Sequence, residues 1–205
     1  MLTAFTAGLL LITVSELGDK TFFIAAILAM RHSRRLVFAG AIAALAAMTI
    51  LSVLVGQAAS SLPKLYVYYA EIVLFLAFGL KLLYEASKMP AKGDCDEAKE
   101  ALETVKEAEA KMPYKDNPLT ILLKTFMMTF VAEWGDRTQF ATISLAAGYN
   151  PAGVTIGAIL GHGICAAIAV ACGRSIAKRI SERAMTALGG LLFLIFALVS
   201  WIEGV

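Results

Sequence analysis

Ser15-Glu16-Leu17-Gly18-Asp19-Lys20-Thr21-Phe22-Phe23 returns 117 residues later as Ala132-Glu133-Trp134-Gly135-Asp136-Arg137-Thr138-Gln139-Phe140. Glu, Gly, Asp, Thr and the final Phe coincide, and Lys faces Arg. Both copies interrupt apolar runs. Residues 1–15 carry no charged side chain, and neither do residues 21–30. At about 1.5 Å per residue these flanks reach about 22 and about 15 Å, and neither crosses about 30 Å of hydrocarbon alone. Glu16, Asp19 and Lys20 are therefore expected deep in a membrane. Glu133, Asp136 and Arg137 are expected near the middle of a matching span.

Composition supports a membrane setting. Of the 205 residues, 59% are hydrophobic and 17% charged, against about 25% charged in an ordinary soluble domain. Residues 88–117 hold 14 of the 34 charges, which leaves 20 for the other 175 residues. So few polar groups cannot cover a soluble surface, which excludes a soluble enzyme, a disordered chain and a nucleic-acid binder. The net charge of +2 implies no anionic partner. Cys95, Cys165 and Cys172 suggest neither a disulfide framework nor a zinc site. The first residues lack a positive n-region and a cleavage site, and read as a retained span.

Six spans are expected, at 4–30, 36–58, 65–87, 118–147, 152–173 and 184–203. Pro63, Pro118 and Pro151 stand at span starts, where a missing N–H costs little. Loops 1, 3 and 5 contain Arg31, Arg34, Arg35, six lysines of the central segment, Arg174, Lys178, Arg179 and Arg183, whereas loop 2 has Lys64 and loop 4 no basic residue. Basic loops stay cytoplasmic, so both termini are expected outside. The 117-residue shift also pairs Gly40 with Gly157 and Gly56 with Gly173. One further residue of shift pairs 78–86 with 196–204. The predicted fold is an all-α polytopic membrane protein of two inverted three-helix repeats, 1–87 and 118–205. A charged cytoplasmic segment, 88–117, joins them. Its helix formers predict a solvated helix that buries little, since its apolar positions are mostly Ala.

Each charge at a membrane centre costs about 2.5–3.5 kcal/mol on insertion scales. Lys20 and Arg137 lie four residues after Glu16 and Glu133, so each motif could in part neutralise itself. Four carboxylates and two cations nevertheless leave a charge of −2. A divalent cation cancels it, and so do two protons, which predicts an exchanger of one for the other. Oxygen donors favour Mn²⁺, Ca²⁺ or Mg²⁺. Glu16, Asp19, Glu133 and Asp136 are the expected ligands and proton carriers, with Thr21 and Thr138 adding hydroxyl oxygens. Lys20 and Arg137 would tune the charge.

Two copies of E-x-G-D-[KR]-[TS], here Glu16 to Thr21 and Glu133 to Thr138, resemble the GDT family of small manganese/calcium–proton exchangers, placed near the lysine exporters. The resemblance implies export of Mn²⁺ or Ca²⁺ from the cytosol, driven by returning protons, with the motif acids as the site. It implies no enzyme and no cofactor beyond the transported ion and H⁺. The expected partners are the metal ion, protons and the lipid bilayer, and a homo-oligomer is compatible with the sequence. The expected host is a bacterial inner membrane or a thylakoid-type one. An exporter of a small organic cation or amino acid is the alternative, with a channel and an intramembrane aspartyl protease ranked lower.

Other residues carry weaker expectations. His162 faces Leu45 in the repeat and reads as a packing histidine. Glu71 reads as interfacial. Lys81 and Glu85 are spaced to pair, and Lys124 can snorkel. Gly153, Gly157 and Gly161 form a ridge for close helix approach, as do Ala39, Ala43 and Ala47. Ser15 and Gln139 flank the motifs and could add oxygens.

Overall fold

The computed structural model describes residues 1–89, 96–111, 117–176 and 181–204. Among these, every regular element is a helix: α1 (Leu2–Glu16), α2 (Lys20–Arg31), α3 (Arg34–Ala59), α4 (Lys64–Lys88), α5 (Asp96–Lys111), α6 (Pro118–Ala132), α7 (Arg137–Gly148), α8 (Pro151–Ile176) and α9 (Glu182–Glu203). Four are long and apolar enough to cross a membrane: α3, α4, Pro151–Ala171 of α8, and α9. Lys178 and Arg179, counted above as loop charges, lie outside the described residues, as do Lys92, Lys115 and Cys95.

Helix starts follow local chemistry. Pro118 and Pro151 open α6 and α8, and the Asn117 carboxamide accepts from the Leu119 N–H at 3.2 Å. The Ser181 hydroxyl accepts from the Ala184 N–H at the start of α9. The expected spans 4–30 and 118–147 are each two helices rather than one. Gly18 and Gly135 take φ of 85° and 83° at the breaks, a region that side-chain-bearing residues avoid.

Close backbone approach organises the packing. Gly153, Gly157 and Gly161 of α8 lie against Met1–Phe5, Phe5–Leu9 and Leu9–Thr13, so α1 and α8 run parallel. Gly40 meets Leu122 and Thr125, and Gly56 meets Ile143 and Ala146, which sets α3 parallel to α6 and α7. Helices α4 and α9 run antiparallel, with Gly79 on Gly190 and Tyr68 Oη donating to the Trp201 carbonyl at 3.2 Å. Phe75 and Phe78 pack on Phe193 between them. In α3 the packed small residues are Gly40 and Ala44, while Ala43 is exposed, so the expected Ala39/Ala43/Ala47 ridge is displaced by one register.

Helix α5 departs from the solvated helix expected. Ala101 and Val105 are fully buried against α2. Lys20 pairs with Glu100 at 2.8 Å, Arg31 pairs with Glu109, and Glu182 accepts from the Asp96 N–H. Few apolar contacts suffice because charge pairs flank them. Lys81 pairs with Glu85 as the spacing predicts. Lys124 is buried rather than snorkelling, and Glu71, expected at the interface, is buried within the protein.

A Cβ on Gly157 would stand 2.2 Å from the Phe5 carbonyl oxygen, whereas one on Gly163 meets nothing nearer than 3.6 Å. Gly157→Ala should therefore lower stability by about 1–3 kcal/mol, and Gly163→Ala should be nearly neutral. Thermal unfolding in detergent checks this, and equal midpoints for the two variants would contradict the packing described.

Candidate metal centre

Each motif sits where one helix stops and another begins. Helix α1 ends on Glu16, the chain turns through Gly18, and Asp19 is the N-cap of α2. Helix α6 ends at Ala132, the chain passes Glu133 and Gly135, and Asp136 is the N-cap of α7. A helix N-terminus carries partial positive charge, so each aspartate stands where a negative charge is favoured. The Asp136 carboxylate also accepts from the Thr138 N–H and hydroxyl at 3.2 and 2.9 Å.

The two breaks meet. Oxygen atoms of Glu16, Asp19 and Asp136 lie within 4.8 Å of one another. Glu133 is 2% exposed and stands within electrostatic reach of all three. Arg137 reaches across from the second motif to Asp19 at 3.1 Å. Thr21 donates to Glu16 at 3.2 Å. Lys20 does not join this group, because its ammonium turns to Glu100 on α5. Breaking the helices also removes the i,i+4 geometry on which self-neutralisation of each motif depended.

Several buried polar atoms at the centre lack a hydrogen-bond partner among the described residues: Glu16 Oε1, Glu133 Oε1, Ser15 Oγ, Thr129 Oγ1, Arg137 Nε and His162 Nδ1. Each buried unmet group costs about 1–3 kcal/mol, more when charged. Carboxylate and hydroxyl oxygens in this state suit a hard cation or a proton. A chamber of about 40 Å³ opens beside Ser15, Gly18, Asp19 and Arg137, bounded by Glu97 of α5. Burial, and then the Asp19 charge, push the Glu97 carboxyl up to about 7. Thr129 and His162 line a smaller cavity of about 10 Å³ with Glu16 and Thr21.

A family model described as Divalent cation/proton antiporter GDT1 matches residues 4–90 and 121–205. The chain belongs to this family. It is 58% identical over 201 residues to GDT1-like protein sll0615 of Synechocystis sp., covering 98% of both chains. It is 42% identical to GDT1-like protein 2, chloroplastic, of Oryza sativa, and 44% identical to Protein PAM71-homolog, chloroplastic, of Arabidopsis thaliana. Those matches cover 97% and 95% of this chain but only 61% and 58% of the chloroplast proteins. No solved structure matches the chain. GDT1 proteins are transporters rather than enzymes, which sets the protease reading aside.

Against that family setting, the residues that sequence reasoning missed stand out. Glu97, Glu100 and Thr129 carry no motif and come to the site through folding. Gln139, which could add an oxygen, accepts at its Oε1 from the Gly135 N–H at 2.8 Å, bracing the turn. No side chain crowds the Cβ position of Gly135, so a substitution there meets only backbone strain. Gly135→Asn, which tolerates positive φ, should retain more folded protein than Gly135→Val, by about 1–2 kcal/mol. Comparable unfolding midpoints for both would show that the break does not need that conformation.

Proposed function

We propose that this chain exchanges Mn²⁺ or Ca²⁺ for protons at the four motif acids, moving the cation out of the cytosol. The observation that carries this is the meeting of Glu16, Asp19 and Asp136 oxygens within 4.8 Å, drawn from two motifs 117 residues apart. Glu133 completes the set, with Thr21 and Thr138 as further oxygens. Arg137 holds the charge balance, while Lys20 acts at a distance by fixing α5.

The balance is now tighter than the sequence alone suggests. With Lys20 given to Glu100, four carboxylates and Arg137 leave −3. One divalent cation and one proton neutralise that, and so do three protons. The bare cluster is the costly state in low dielectric, so an ion leaves as protons arrive. Exchange follows from this competition without a separate coupling device.

The antiparallel packing of α4 on α9 supports two inverted halves, 1–87 and 118–205. So does the reciprocal pairing of α1 with α8 and of α3 with α6 and α7. On this reading α1 with α2, and α6 with α7, form the two broken spans of six, and broken helices near a repeat interface suit an ion site. Arg31 and the start of α9 meet α5 at one face, which we assign to the cytoplasm, in a thylakoid-type or bacterial inner membrane. The chamber beside Asp19 suits an ion better than an amino acid.

In reconstituted vesicles with a preset pH gradient, added Mn²⁺ or Ca²⁺ should collapse the gradient. Glu16→Gln and Glu133→Gln should each slow this about tenfold or more, as for one lost ligand contact of about 1.4 kcal/mol. Thr21→Val and Thr138→Val should have smaller effects. No proton movement with Mn²⁺, Ca²⁺ or Mg²⁺ would overturn the proposal.

A further inference from the structure

The cavity of about 10 Å³ beside Glu16 is walled by residues of α1, α2, α3, α6 and α8. Much of its lining is apolar, with Phe22, Ala25, Ala41 and Leu45 among it. Two of the polar lining atoms have partners. Thr21 Oγ1 donates to Glu16 Oε2 at 3.2 Å, and Cys165 Sγ donates to the Thr13 carbonyl at 3.4 Å. Three lining residues are left with a buried polar atom that no described residue satisfies: Glu16 at Oε1, Thr129 at Oγ1 and His162 at Nδ1. Their exposures are 2%, 1% and 5%. Each such atom, left unmet, costs about 1–3 kcal/mol.

Neither Thr129 nor His162 is accounted for by packing. A hydroxyl in an apolar helix ordinarily turns back to the carbonyl four residues earlier. Thr13, Thr49, Thr125, Thr142 and Thr155 all do so. The Thr129 hydroxyl makes no such bond. The 117-residue repeat pairs Thr129 with Ile12 and His162 with Leu45, so the other half has an apolar side chain at both positions. Both departures fall on the wall of one cavity, beside one of the two motif glutamates. A histidine that only fills space, as the sequence suggests for His162, calls for no second polar departure next to it.

We propose that this cavity binds one water molecule, held by Glu16, Thr129 and His162, and that Thr129 and His162 position the Glu16 carboxylate through it. The volume is about what one buried water needs, and such waters typically make about three hydrogen bonds. This one accepts from the Thr129 hydroxyl and donates to Glu16 Oε1 and His162 Nδ1, which meets all three atoms. A metal ion suits the cavity less, since Ca²⁺ takes about 6–8 oxygen ligands and the wall has one carboxylate. With Oε2 held by Thr21 and Oε1 by the water, the carboxylate is oriented before an ion arrives. Each of its oxygens keeps a second lone pair for that ion. The positioning role rests on Glu16 being an ion ligand, as proposed above, whereas the water does not.

Mn²⁺ alone is the probe, added to the full chain in detergent, with free Mn²⁺ read from its EPR signal. Thr129→Val and His162→Leu should each weaken Mn²⁺ binding about tenfold, the low end for groups that orient a ligand. Because both act through one water, the double variant should bind within about twofold of either single one. Thr129→Ser, which keeps the hydroxyl, should recover most of the loss. The Val and Ser variants at Thr129 carry the test if His162→Leu does not fold. Losses that multiply to about a hundredfold in the double variant would overturn the shared water, and so would a Ser variant as weak as the Val one. Independently, a map of the unaltered chain that shows ordered water should contain a peak about 2.7–3.2 Å from all three atoms. Absence of that peak overturns the site. A peak with Mn²⁺ affinity unmoved by either substitution overturns the positioning role. Failure of the unaltered chain to bind Mn²⁺ strikes the exchange reading and the positioning role together, while the peak still decides the water.

Discussion

Carboxylates taken out of water must find positive charge, and in this protein one guanidinium is shared among four of them. Arg137 comes from the second motif and binds Asp19 of the first. That contact ties together two breaks lying 117 residues apart in the chain and sets where the acids meet. Partial charges at the N-termini of α2 and α7 assist, each with its aspartate at the N-cap. These sources do not complete the neutralisation. On the exchange proposed above, the remaining deficit is what would give an arriving cation or proton its favourable free energy.

The packing serves this meeting. Gly157 and Gly40 let α8 approach α1, and α6 approach α3, closely enough for backbone to touch backbone. Such contact leaves no room for adjustment, so the broken helices are held by unbroken ones. Helices α4 and α9 are less constrained by carbonyl contacts along most of their length, packing through Phe75, Phe78 and Phe193 and touching closely at Gly79 and Gly190. They also line the chamber beside Asp19.

Much of this was legible in the sequence because membrane cost is a loud signal. Charges in apolar runs, counted at about 1.5 Å per residue, mark Glu16, Asp19, Glu133 and Asp136. Gly18 and Gly135 marked places where a helix could break, yet periodicity still favoured unbroken spans, because positive φ is not written in hydropathy. Lys20 takes a partner that its spacing does not describe. Its spacing from Glu16 describes a continuous helix, and the break sends it to Glu100, a residue whose place depends on how α5 folds back. Glu71 was read as interfacial from its position one turn into α4, and only the arrival of Ser200 and Gly148 from distant segments buries it. Local rules found the acids; contacts between distant segments decided their partners.

The two breaks are alike in motif and unlike in support. A break leaves backbone N–H and C=O groups unpaired in a medium that offers no water to satisfy them. In the second half the Gln139 carboxamide takes the Gly135 N–H, and the Asp136 carboxylate takes the Thr138 N–H. That turn is closed by its own neighbours. In the first half Phe22 occupies the position of Gln139 and can accept nothing. The Asp19 N–H reaches the Glu16 carbonyl at 3.3 Å, and the Asp19 carboxylate depends on Arg137. Any ion that takes Asp19 as a ligand must therefore compete with the guanidinium that joins the two breaks. On the proposed exchange, occupancy of the site and the Arg137–Asp19 contact draw on the same carboxylate, so a change in one would be felt by the other.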